Sequence, residues 1–212
     1  PDIPVWLSAG TKALIEEASR FRLIPLIESE FQLFPLDRPF TIKDVTVHPH
    51  RMDHAICDVS AFEIRADGQT LLYAGDFSGT ADTKSCLGAF SQRAARQADM
   101  LLIDGAMFER SSVHLRTEEE IEQELVTLMS EPGPFFFQCA SQNIDRIITF
   151  YNAGRSTRRQ FIMDPFTANV LHDLRILGYS LPSPGVGSDA MHVFNSKTAR
   201  GKTAVETGHE RT

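Results

Sequence analysis

The chain has 212 residues, 42% of them hydrophobic and 23% charged, with three cysteines and a formal net charge of −7. That length accommodates one large domain or two small ones, and no apolar run approaches the roughly 20 residues that span a bilayer. The acidic balance argues against a protein that coats nucleic acid but leaves room for a local phosphate site, and Cys57, Cys86 and Cys139 are too scattered for a disulfide framework or a paired-cysteine metal knuckle, which points to a reducing, cytoplasmic compartment.

In chain order, Val5-Trp6-Leu7 reads as a short strand. Thr11 then caps a helix to about Arg22, with Ala13, Leu14, Ala18 and Phe21 on one buried face. The segment 31–44 is rich in proline and aromatic residues, with Phe40-Thr41-Ile42 as its strand. The stretch from His48 to Asp76 organises the rest. Two strands, Val59–Ile64 and Thr70–Ala74, flank Ala66-Asp67-Gly68-Gln69, where Asp-Gly supplies the positive φ of a tight hairpin. His54 precedes the first strand and Asp76 follows the second, so one sheet edge is expected to carry both side chains. Gly75 is expected to let the chain turn sharply there. A borderline imidazole with a hard carboxylate suits zinc, or manganese when the remaining ligands are mostly oxygen.

Residues 91–98 read as a helix. The apolar run Met100-Leu101-Leu102-Ile103 ending in Asp104 has the pattern of a buried parallel strand with a functional carboxylate at its end, against a reading of Asp104 as a turn cap. Thr117 and Glu120 match a capping box, Ile121, Leu125, Leu128 and Met129 form the stripe of the helix that follows, and Pro132-Gly133-Pro134 stop it. Next come a strand over Phe135–Cys139, a helix over Ile144–Ala153, a strand over Gln160–Asp164 and a helix over Thr167–Leu177. This alternation predicts a parallel sheet with helices on its faces. Ser141, Gln142 and Asn143 stand before a helix N-terminus, a place that binds anions. Arg146, Arg155, Arg158 and Arg159 could add phosphate contacts or form a solvated basic surface. The polar segment 195–212 reads as a loop or tail. Its Gly201-Lys202-Thr203 is no phosphate loop, because Ser196 stands where a glycine is required.

DHAICDVSAFEI followed by LLYAGDF resembles the later metal-binding motifs of the metallo-β-lactamase superfamily. LLIDGAMFER, FFFQCASQNIDRIITFYNAG and QFIMDPFTANVLHDL extend the resemblance to the β-CASP, ribonuclease J-like group. One departure is that Asp104-Gly105-Ala106 stands where that group has Glu followed by Gly or Ser and then Thr. The resemblance implies a mixed α/β chain: a partial metallo-β-lactamase αββα sandwich over 1–104 and a β-CASP-like parallel α/β insertion over 105–194. It implies that His54 and Asp76 are metal ligands, Asp76 bridging two zinc ions, that Asp104 is an acid–base or supporting group, and that Ser141, Asn143 and Arg146 bind substrate. The superfamily's main ligand motif, His-x-His-x-Asp-His, is absent; His48-Pro49-His50 with Asp53-His54 has the wrong spacing for it. The expectation is therefore a fragment, inactive alone, of a metal-dependent hydrolase that cleaves RNA phosphodiesters with water activated by two ions. RNA is the expected partner, a membrane is not, and self-association stays open. Two rivals stand beside this reading: a hydrolase of small esters, lactones or thioesters on the same fold, and a non-catalytic nucleic-acid-binding or scaffold protein.

Overall fold

The computed structural model describes residues 3–25, 30–52, 55–75, 84–105, 116–182, 184 and 191–194. The chain is mixed α/β and forms two compact units: Pro1–Lys12 with Glu28–Thr117, and Ala13–Ile27 with Glu118–Thr212. No described helix is long and apolar enough to cross a membrane.

In the first unit, β1 (Val5–Leu7) pairs in parallel with β2 (Phe31–Leu33). A five-stranded sheet follows in the order β3 (Phe40–Ile42), β4 (Val45–Arg51), β5 (Ser60–Ala66), β6 (Gln69–Ala74) and β7 (Met100–Ile103). Its pairings are antiparallel except the last, β6 with β7, which is parallel. The crossover between those two strands is α2 (Lys84–Gln97), which starts earlier than the predicted 91–98. Ala66 pairs with Gln69 across the two-residue turn, where Asp67 has φ 51° and Gly68 φ 74°. Positive φ at both central positions marks the hairpin turn whose twist matches the flanking strands.

Residues paired across neighbouring strands share a face, so the register assigns two cores to the sheet. On one face Ala61, Leu72 and Ala74 pack with Met52 and with Phe90 from α2. On the other, Phe40 stacks on Trp6 at 5.0 Å and on Phe34 at 5.8 Å, and Phe34 meets Phe62 edge-on at 5.6 Å. Strand β7 is parallel, as its apolar run predicts, but it is not buried: Met100 to Ile103 are all exposed, between 47% and 58%. An all-apolar strand is suited to cover on both faces, yet β7 is the last strand of the sheet among the described residues and its side chains stay about half exposed.

Helix α1 (Ala9–Arg20) starts two residues before the predicted cap. Ser8 takes that role, its Oγ accepting from Thr11 N at 3.1 Å while its carbonyl accepts from Lys12 N at 3.0 Å. Thr11 stands three positions on, where the backbone N–H is the one that a cap satisfies. The helix ends before Arg22, which adopts φ 57°, and Leu23 N returns to Ala18 O at 2.9 Å. A left-handed residue closing the last turn is the usual C-terminal stop, here without glycine.

The second unit contains α3 (Glu118–Met129), α4 (Ile144–Ser156), β8 (Phe161–Met163), α5 (Pro165–Ile176) and β9 (Met191–Val193), with β8 and β9 parallel. The strand expected over Phe135–Cys139 has no ladder partner among the described residues, so the predicted parallel sheet is a single pair of strands there. Side-chain packing holds this segment instead: Phe137 stacks on Phe150 at 4.1 Å and on Phe161 at 5.2 Å. Helix α5 begins two residues earlier than predicted, because Asp164 caps it through Thr167 N at 3.0 Å and Pro165 occupies its first position. Arg159 staples the end of α3, donating to the carbonyls of Met129 and Gly133, each at 2.6 Å, and to that of Glu131.

Candidate metal centre

Strands β4, β6 and β7 run in one direction, since β4 and β6 each lie antiparallel to β5 and β7 lies parallel to β6. One row crosses the sheet through Pro49, Phe62, Tyr73 and Leu102, so the three co-directional strands end close to level, at Arg51, Ala74 and Ile103. At about 4.8 Å per strand, the ends of β4 and β6 stand about 10 Å apart, and those of β6 and β7 about 5 Å apart. Of the residues that the sequence nominates for a metal site, Asp104 directly follows β7 and is exposed, whereas His54 and Asp76, the two expected on one edge, lie outside the described residues. Gly75 does not supply a left-handed turn. Its φ is not positive, so its backbone is one that any residue could adopt, and the nearest atoms that a Cβ would meet are those of Tyr73, at 3.6 Å and beyond.

On the face of the sheet that carries Ala61 and Leu72, three side chains that could hold a metal ion come together. His48 pairs directly with Glu63 across β4 and β5, and His50 stands two residues along the same strand, on the same face. His50 Nε2 lies 3.1 Å from Glu63 Oε2, and Arg65 forms an ion pair with Glu63 Oε1. The two imidazole centroids are 4.1 Å apart, and one donor atom from each of the three residues lies within 4.8 Å of the others. The Glu63 side chain is 3% exposed and that of His50 16%. Sequence reading set His48 and His50 aside on their spacing and passed over Glu63. The signal it could have used is a carboxylate at an inward position of an alternating strand, beside two histidines of one strand face.

The candidates of the second unit are all engaged within it. Asn143 caps α4, its Oδ1 accepting from Arg146 N at 3.0 Å. Ser141 Oγ is hydrogen-bonded to Thr167 Oγ1 at 2.9 Å, and Thr167 in turn bonds Asp164 Oδ2 at 2.6 Å. Ser141 and Thr167 line a cavity of about 820 Å³ whose other walls include Phe135, Phe137, Phe161 and Met163. Arg146 makes a forked ion pair with Glu118, with Nε 3.0 Å from Oε2 and Nη2 2.9 Å from Oε1. Burial pushes the Glu118 carboxyl up, but hydrogen bonds from Arg146 and Thr149, with the guanidinium charge, outweigh it and hold the group below its ordinary value. Burial likewise raises the Cys139 thiol, against the opposing charge of Arg146. Of the remaining arginines, Arg155 lies 5.7 Å over the Tyr151 ring, Arg159 is committed to carbonyls, and Arg158 is exposed.

No protein-family profile matches the chain, and neither does any curated protein sequence. Among solved structures, the chain is similar to a protein of unknown function from Enterococcus faecalis V583, with 17% identity and a TM-score of 0.68 over 92% of this chain and 47% of that one. It also aligns with Zn²⁺-bound PqqB from Methylobacterium extorquens, with 18% identity over 70% of this chain and 46% of that one, but at a TM-score of 0.33, too low to bear on the fold. The chain thus shares its fold with the E. faecalis protein and spans about half of that protein's length.

Proposed function

We propose that this chain is part of a metal-dependent hydrolase of the metallo-β-lactamase fold with a β-CASP-like insertion, whose substrate is an RNA phosphodiester. The observation that carries the reading is the common direction of β4, β6 and β7, which takes the chain off one sheet edge at Met52, Gly75 and Asp104. His54 and Asp76 follow the first two of these points by no more than two residues. In this reading His54 and Asp76 hold zinc or manganese, and Asp104 holds or releases a proton near the leaving group. Metal ions, when bound, supply water with its pKa lowered to about 7 and charge to neutralise the phosphate. The nitrogen and oxygen donors of His48, His50 and Glu63 add to the case that this sheet suits a borderline metal.

In the second unit, Ser141 and the capped start of α4 offer polar groups to a phosphate. The Nη1 corner of Arg146 is the part of its fork that Glu118 does not use, and the exposed Arg158 adds positive charge. The test is metal content by mass spectrometry together with cleavage of 5′-labelled RNA by the full-length gene product. Expected are bound zinc or manganese and RNA degradation that His54→Ala or Asp76→Ala abolishes. Metal without RNA cleavage would redirect the reading to small esters, and a protein without metal would leave a non-catalytic binding module.

A further inference from the structure

We propose that His48, His50 and Glu63 form a binding site for a single zinc-like divalent cation on the face of the sheet. The inference goes beyond the hydrolase reading, since it concerns residues to which that reading gives no ligand role. A tetrahedral ion bound at 2.0–2.2 Å holds its ligand atoms roughly 3.3 Å apart. His50 Nε2 and Glu63 Oε2 already stand at 3.1 Å, and no pair in the group is wider than 4.8 Å. Rotation of one imidazole ring closes a gap of that size, roughly 1.5 Å at most.

Every ligand backbone sits in a hydrogen-bonded ladder. His48 and Glu63 are direct partners, His50 is opposite Ala61, and Ala61 is wholly buried. Strand geometry therefore fixes the three stems without help from a loop, which is the preorganisation a metal site needs. Glu63 also has the arrangement of a one-oxygen ligand. Its Oε1 is held by Arg65, and its Oε2 faces the histidines. Such an outer partner orients a carboxylate ligand and tunes its affinity. His48 supplies the second, independent sign. Its imidazole lies 4.1 Å from that of His50 yet makes no hydrogen bond among the described residues. A purely structural Arg65–Glu63–His50 network would have no use for it. Phe90 walls the group, 6.1 Å from His50, and lowers the local polarity.

The experiment strips the chain of metal and titrates it with Co²⁺ and then Zn²⁺, reading stoichiometry by mass spectrometry, the visible absorption of cobalt, and the rise in unfolding temperature on metal addition. His48→Ala is the main variant, because it leaves the Arg65–Glu63–His50 network intact. The expected result is one cobalt ion in tetrahedral coordination and an affinity at least about 100-fold weaker in His48→Ala, since even outer-shell changes cost 10–100-fold. Equal binding by the two proteins, or no binding by the parent chain, would overturn the site. His54→Ala and Asp76→Ala separate this inference from the hydrolase reading. Loss in those variants but not in His48→Ala removes the His48 site and keeps the strand-end ligands. Loss in His48→Ala but not in the others does the reverse, and equal loss in all three overturns the His48 group as a site of its own. Circular dichroism of the metal-free proteins controls for folding, and His48→Gln replaces His48→Ala should the latter not fold.

Discussion

Arg146 and Glu118 lie 28 residues apart in sequence and meet fork to fork, with Nη2 donating to Oε1 at 2.9 Å, Nε 3.0 Å from Oε2, and Thr149 Oγ1 adding a bond to Oε2 at 2.6 Å. The pair joins the start of α3 to the first turn of α4, so the arginine nominated for substrate has a structural duty within its own unit.

Glu118→Ala and Arg146→Ala are each expected to destabilise the protein by about 1–2 kcal/mol, a figure discounted because both side chains are about one-third exposed. Arg146→Lys should recover only part of the loss, since an ammonium cannot present two parallel donors. The carboxyl is held below its usual 4.5, so its contribution is present above that pH and disappears as pH falls through the lowered folded value. Urea unfolding near neutrality and at about pH 3 checks this: the gap between wild type and Glu118→Ala should shrink in acid.

Glu17 behaves in the opposite way. It is wholly buried in the second unit, and burial, then a hydrogen bond with Asp173 and that group's charge, push it up to about 7 despite Arg20 and Asn169. The folded state therefore holds a proton that the unfolded state releases near 4.5, and stability falls as pH rises from about 4.5 to above 7. Glu17→Gln should flatten that slope and raise the unfolding temperature on the alkaline side. An unchanged slope in the variant would show that another group sets it.

Two glycines should respond differently to the same substitution. Gly68→Ala puts a side chain at φ 74° in the β5–β6 turn and should cost about 1 kcal/mol or slightly more. Gly75→Ala meets only ordinary van der Waals contact with Tyr73 and should shift the midpoint of thermal unfolding far less.

Arg159→Ala removes three bonds to the carbonyls that close α3 and should cost about 2 kcal/mol. Arg159→Lys should rescue little, because the three acceptors are spread around a planar fork. Hydrogen exchange at Met129 to Glu131 reads the loosening directly.

Local patterns made the hairpin, the helices and the parallel direction of β7 readable, because alternation, an Asp-Gly pair and capping residues act within a few positions. The His48–Glu63 pairing was not readable in this way. It depends on a cross-strand register spanning 15 residues, and no local rule states that register. The Arg146 fork was hidden for the same reason: a side chain with five donors is claimed by whichever carboxylate the helix packing brings near. The strand expected at Phe135–Cys139 shows the converse failure. Its aromatic run records a preference for packing, which Phe137 fulfils, while pairing needs a neighbouring backbone that propensity does not provide.

The exposed strand at the end of the sheet bears on how this polypeptide behaves in a test tube. β7 presents Met100, Leu101, Leu102 and Ile103 to solvent with no charge among them, and among the described residues its outer rail of amides and carbonyls faces no further strand. Such a rail is adhesive toward any extended chain, and charge on the strand is the usual guard against it. Light scattering should show concentration-dependent particles in the wild-type chain that Leu102→Lys suppresses, and spectroscopy should be run on dilute or Leu102→Lys protein for that reason.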